Sequence, residues 1–300
     1  MKLCITGANS SVGRSLLRTL AGLESNSVVA IVRSSAAMAH LPDASNITAV
    51  ACPYTDAQGL AQAFQGGDSV VHLAGILFEG PGNSYQSANV DSTAAVVNAA
   101  REAGVRHLVF VSVLGASAQS ANPFYRTKGE AEALVQSSGL QATVLRTPLL
   151  LGPDIAGGQA LLREASASNT KLLGGGHHRV RPLDVDDLCA AVLAACRVPA
   201  PGAAVLELCG PEALPYHALV RRMAERLGRE VNIGTLPVWL AKTFAGLNHA
   251  FKGHGLSPAI IDVITSSETV TDNADRRLGL SLSPLDHTLA KLAGKEARND

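Results

Sequence analysis

The stretch that most constrains this chain is KLCITGANSSVG, residues 2 to 13, where an apolar run breaks at once into a glycine-punctuated turn. Residues of helical period follow from Ser11. A strand that turns this sharply into a helix leaves the first helical N–H groups and the positive end of the helix dipole free, and that arrangement receives a phosphate. Gly7 is expected to make the tight turn, and Gly13 to let helix and strand pack closely. Similar apolar runs recur as VVAIVR, ITAVAC, SVVHLAG, HLVFVSV and ATVLRTP. Between them lie segments of helical period at Ser11–Leu23, Asp56–Phe64, Asn89–Ala103 and from Asn122. Unalternated apolar runs of this length suit strands covered on both faces, so the expected fold is α/β, a doubly wound parallel sheet.

The second half is less regular. GPDIAGG and LLGGGHHRVRP read as loops, DVDDLCAAVLAAC as a helix, AVLELCG as a strand and YHALVRRMAERLG as an amphipathic helix. The expected organisation is a dinucleotide-binding core over 1–150, rejoined by 182–210, with a smaller substrate-binding lobe from 151–181 and 211–300.

Composition removes several classes. Formal charge is zero and the pI is about 7.1, which gives no electrostatic reason to bind nucleic acid. Five cysteines lie scattered in apolar runs without C-x-x-C spacing, so neither a disulfide framework nor a zinc site is expected. No apolar run reaches transmembrane length and the first glycine arrives too early for a signal-peptide core. The expected location is cytoplasmic.

TGANSSVG in this context resembles the short-chain dehydrogenase/reductase superfamily, in its extended and atypical branches, whose loop runs G-x-x-G-x-x-G. Here Ser10 occupies the middle glycine position. Further segments match in order: SVVHLAG resembles the fourth-strand motif, NVDSTAAVVNAAREAGVRHLVFVS the following helix and fifth strand, and PLDVDDLCAAV the return helix. GPEALPYHALVRRMAERLG, LPVWLAK and ETVTDNADRRLGL resemble the C-terminal lobe of atypical members related to the complex I 39 kDa subunit and the NmrA-like group. The resemblance implies a Rossmann cofactor site with Gly7, Asn9, Ser10, Ser11, Val12 and Gly13 at the pyrophosphate. It places Leu73, Ala74 and Gly75 under the adenosine half, Lys128 at the nicotinamide ribose, and Pro148 and Leu149 at the cleft.

Where an acidic residue would accept from an NAD ribose, the second strand ends in Arg33-Ser34-Ser35. A cation followed by hydroxyls suits a 2′-phosphate, so NADP(H) is favoured over NAD(H).

Catalytic members of the superfamily use a Tyr-x-x-x-Lys pair, with the lysine lowering the tyrosine pKa. Four residues before Lys128 stands Phe124, a ring with no proton to give. Tyr125 is turned about 100° away along the helix, and Asn122 as N-cap with Pro123 at the first helical position predicts an ordinary helix start. In the fifth strand Ser112 is present, but a second serine is replaced by Val113. The candidate catalytic set is therefore Lys128, Tyr125 and Ser112.

The implied functions are three: an oxidoreductase on a small apolar substrate with a non-standard proton donor, a non-catalytic NADP(H)-binding sensor or accessory factor, and a nucleotide-sugar epimerase or dehydratase. Asp184, Asp186 and Asp187 are expected to cap a helix rather than bind metal, and His72 to be a core residue. His177, His178, Arg179 and Arg181 form a cationic loop able to face an anionic substrate. Trp239, Leu240, Phe244, Leu247 and Phe251 form an apolar stripe within 236–251, compatible with a core face, a lid, or docking on a membrane surface or protein complex.

Overall fold

A computed structural model describes residues 1–199, 201–252 and 256–296, with backbone alone for 247–252, 295 and 296. Seven strands form one parallel sheet: β1 Lys2–Thr6, β2 Ser27–Val32, β3 Ile47–Ala51, β4 Ser69–His72, β5 His107–Val113, β6 Gln141–Thr147 and β7 Ala203–Glu207. Their order is β7-β6-β5-β4-β1-β2-β3. Progression reverses between β1 and β4, and such a switch point opens a crevice at the carboxyl ends of the strands. Thr6 pairs with both Ile31 and His72, which sets the turns after β1, β2 and β4 side by side.

Helices cover both faces, as a doubly wound sheet requires. On one face, α1 Ser11–Ala21 and α6 Val185–Arg197 bury Leu16, Leu17, Leu20, Leu188 and Val192 against Leu3, Ile5 and Val28. On the other, α2 Ala57–Phe64, α3 Ser92–Glu102 and α4 Pro123–Gln136 cover Val70, Leu108, Phe110 and Val144. A third core joins α5 Ala156–Ser166, α7 Tyr216–Arg226 and α10 Leu285–Glu296 through Leu161, Leu219, Met223, Leu289 and Leu292. Asp184 caps α6 and also binds Thr288 and Lys291, while Asp187 binds Ser283, so this acidic cluster ties α10 and the chain leading to it onto α6.

The expected helix from Asn89 differs in detail. Residues Gln86–Asp91 form a π turn before α3 begins at Ser92. The wider turn brings Asn89 inward, where it accepts from Ile76 N–H and donates to Thr127 Oγ1. β4 stops at His72 because Leu73 and Ala74 form the wall against which the Gly7 turn packs.

Helices α8 Val238–Lys252 and α9 Pro258–Ile264 lie together, with Ala241, Ala245 and Ile261 buried between them and Val238 packed alongside. Small residues face inward, and Trp239 and Phe244 are 69% and 65% exposed. For Trp239 and Phe244 this corrects the core-facing reading of the stripe, whereas Leu240 is half-buried. The side chains of Leu247 and Phe251 lie outside the described residues.

Candidate cofactor and substrate site

The turn after β1 is built for close approach. Gly7 has φ +74°, and a Cβ there would lie 2.7 Å from Ala74 N and 2.8 Å from Leu73 C. At Gly13 a Cβ would meet the Gly7 and Ala8 carbonyl oxygens at 2.5 and 2.6 Å, so this glycine admits the turn's own backbone rather than a neighbouring strand. Ser10 has φ −64°, a conformation that needs no glycine, and its Oγ accepts from Gly13 N–H at 2.9 Å as the N-cap of α1. The serine in the glycine position therefore closes the helix start and keeps its own O–H as a donor.

Backbone N–H groups of Ser11 and Val12 have no partner among the described residues and stand at the positive end of α1. Two residues that the sequence reading missed hold this turn. Buried Tyr54 accepts from Gly7 N–H at 2.5 Å and donates to Ile31 O at 3.2 Å, clamping β1 to β2. Arg14 donates to Asn9 O at 2.6 Å and brings a guanidinium beside the turn. Arg33 and Ser34 stand exposed beyond β2, and Arg33 forms no ion pair among the described residues.

At the end of β4 and β5 lies a second polar set. Lys128 is 6% exposed; its Nζ donates to Val111 O at 3.0 Å and sits 4.3 Å from the Phe110 ring centroid. Burial lowers its pKa to about 8, opposed by the Glu132 carboxylate. A Cβ on exposed Gly75 would lie 3.8 Å from that ammonium, so Lys128 flanks the crevice over the β4 turn. Ser112 is 1% exposed and its Oγ has no hydrogen-bond partner among the described residues. A cradle that only glycine permits, free amides at a helix start and a buried ammonium at the crevice together fit a dinucleotide.

His72 is a core residue, held between Thr6 Oγ1 at 2.7 Å and Thr93 Oγ1 at 3.0 Å. Burial, with the Lys128 charge second, lowers its pKa to about 3 and keeps it neutral.

Asn122 caps α4 by accepting from Phe124 N–H at 3.0 Å, so the helix starts normally. Phe124 is buried beside the rings of Tyr85 and Tyr125, at centroid distances of 5.8 and 5.7 Å. Tyr125 turns away toward the turn at Gly115, and its hydroxyl meets Ser266. Burial raises the Tyr125 pKa, as it raises that of nearby Glu268.

The segment 256–268 spans the mouth of this region and was not recognisable from sequence. Ala259 O accepts from Asn122 Nδ2 at 2.8 Å, and Ser257 meets the Tyr85 hydroxyl. Glu268 accepts from Leu149 N–H at 2.5 Å and Arg181 N–H at 2.7 Å. Pro148 and Leu149 therefore lie under this strap. His178 stacks on Tyr216 and His177 meets His217, so the histidine pair packs on α7. A groove of about 630 Å³ lined by Asn26, Asp68, Arg106 and His107 opens at the amino ends of the strands, away from these groups.

Comparison with known proteins agrees with this geometry. The family model described as NAD(P)H-binding matches residues 7–195. Subunit 9 of the NADH dehydrogenase [ubiquinone] 1 alpha subcomplex of Arabidopsis thaliana is 26% identical, over 93% of this chain and 73% of the relative. Ceramide reductase of Caulobacter vibrioides is also 26% identical, over 78% and 73%. In fold, the dTDP-glucose 4,6-dehydratase DesIV of Streptomyces venezuelae, solved with NAD, superposes with TM-score 0.77 at 18% identity, covering 100% of this chain and 98% of that one. The glycine turn, the switch-point crevice and the family match together make this chain a member of the NAD(P)H-binding family.

Proposed function

We propose that the chain is an NADP(H)-dependent oxidoreductase acting on an apolar carbonyl compound, with the proton supplied from Tyr125 or from a water rather than from residue 124. The observation that carries this reading is Lys128, a buried ammonium bordering the crevice with Val111 O as its one hydrogen-bonding partner among the described residues. Ammonium groups are rarely buried without a partner, and two ribose hydroxyls would satisfy it. When bound, the reduced nicotinamide supplies a hydride to the carbonyl carbon. This chain's residues then have three tasks: Ser112 orients the carbonyl oxygen, Lys128 holds the ribose, and Tyr125 passes a proton to that oxygen from the Ser266 and Glu268 side. Arg33, with Arg14 nearer the turn, supports the NADP(H) preference by offering cations to a 2′-phosphate. Ceramide reductase among the relatives supports an apolar substrate.

Phe124 favours a second reading, a non-catalytic NADP(H)-binding accessory or sensor, because the usual proton donor is a packed benzyl ring. It weighs equally against epimerase chemistry. Turnover of apolar ketones with NADPH separates the readings. In the enzyme, Tyr125→Phe lowers kcat by about 10²-fold or more, the usual contribution of a positioned acid. A wild type silent on all substrates that gains turnover as Phe124→Tyr identifies the binding module instead.

A further inference from the structure

A chain of buried charges runs behind the Lys128 ammonium. Glu132 follows Lys128 by one turn of α4, so the two side chains share a face of the helix, and both are buried, at 2% and 6% exposure. The Glu132 carboxylate accepts from Arg146 of β6 at three contacts, from Nε at 3.0 and 3.2 Å and from Nη2 at 2.6 Å. Arg146 stands in register with Ser112 of β5, donates to Ala116 O at 3.0 Å and meets Glu207 of β7 at 3.6 Å. Lys128 itself forms no direct ion pair among the described residues, which leaves Glu132 as the anion beside it on α4.

Other charged groups on the elements packed against α4 are neutral, occupied or exposed. His72 of β4 is held neutral. Asp91 of the π turn accepts from Gln86, and Glu79 ahead of that turn accepts from Tyr85 N–H. Asp262 of α9 pairs with Lys242 of α8, and on α4 Glu130 pairs with Arg126. Arg101 and Glu102, at the end of α3, are exposed.

We infer that Glu132 is a positioning residue for Lys128: its carboxylate, anchored by Arg146, lies along α4 from the ammonium and offsets the guanidinium that holds it, so that the lysine borders the crevice as a cation. Burial works against that cation, and Glu132 opposes the burial. Only the consequence for a bound ribose rests on the proposed cofactor reading; the action of Glu132 on Lys128 does not.

Opposite substitutions at the two ends of this bridge should act in opposite directions. The full chain is labelled with carbon-13 at lysine Cε, and the Lys128 resonance, identified by its loss in Lys128→Met, is followed from about pH 6 to about pH 11 without dinucleotide. In wild type it should titrate near pH 8. Glu132→Gln should move that midpoint down by about one unit or more, and Arg146→Met should move it up. Both variants break the same bridge, so a bridge that merely fastens α4 to β6 would shift both midpoints the same way or neither. An unmoved midpoint in Glu132→Gln, or the same shift in both, overturns the inference. Breaking a buried bridge from one side is strongly destabilising, so the Glu132→Gln, Arg146→Met double variant is measured beside them. Its midpoint should still lie below wild type, because Glu132 acts on Lys128 more strongly than Arg146 does; a wild-type midpoint there also overturns the inference. The Kd for NADPH on the same chains separates this from the cofactor reading. An affinity loss that moves to lower pH together with the Lys128 midpoint supports both, whereas a moved midpoint with an unchanged Kd profile upholds the role of Glu132 and overturns Lys128 at the ribose.

Discussion

Lys128 holds its charge against the end of β5, at a cost that the ribose of the proposed cofactor would offset. With its pKa lowered by burial to about 8 from 10.5, both folded and unfolded chains are protonated below about pH 8, and the burial penalty counts in full. Between about pH 8 and 10.5 the folded state releases the proton first, the unfolded state binds more protons, and the Lys128 contribution to stability rises with pH, by up to about 3 kcal/mol. Dinucleotide binding is expected to run the other way, because in the proposed site the ribose hydroxyls need the ammonium. Affinity is expected to fall about tenfold per pH unit above about pH 8, measured as Kd across pH 7 to 10. A flat profile would mean that Lys128 does not meet the ligand. At this scale the sequence told most where a residue type is itself the chemistry: Phe124 in place of a phenol, Ser10 in place of a glycine, and Val113 in place of a serine. It was silent on Tyr54, whose hydroxyl reaches the turn from 47 residues away.

Strands and helices were legible because buried parallel strands are written as unbroken apolar runs. Caps were legible too, since Asn122-Pro123 and Asp184 are local signals. The π turn at Gln86–Asp91 was hidden, because one widened turn is set by where Asn89 must reach and not by any period. The outward face of α8 was hidden for another reason: an apolar stripe reads the same whether it is covered or bare, and only the packing of Ala241 and Ala245 decides it. Asn122 joins two elements, capping α4 and holding Ala259 of α9. Asn122→Ala should cost about 1–2 kcal/mol in urea unfolding. It should also raise hydrogen exchange across 257–264 more than across β1. Equal protection in both would show that α9 is held by other contacts.

As a whole the molecule is a switch-point sheet whose crevice is roofed by chain from its last third. Ser257, Ser266 and Glu268 reach back to Tyr85, Tyr125 and Leu149 across separations of more than a hundred residues. Such contacts depend on the completed fold, which is why the crevice could be placed from sequence and its roof could not. The central claim is that the turn at Gly7–Gly13 receives the phosphates of NADP(H), with Arg33 at the 2′-phosphate. Thermal unfolding with NADPH, NADH and no ligand, in wild type, Gly13→Val and Arg33→Ser chains, tests it most directly. NADPH at about a hundred times its Kd should stabilise the wild type by about 2.7 kcal/mol. Arg33→Ser should weaken NADPH binding by roughly tenfold or more while leaving NADH unchanged, and Gly13→Val should respond to neither. A wild-type melt unmoved by both dinucleotides would contradict the account.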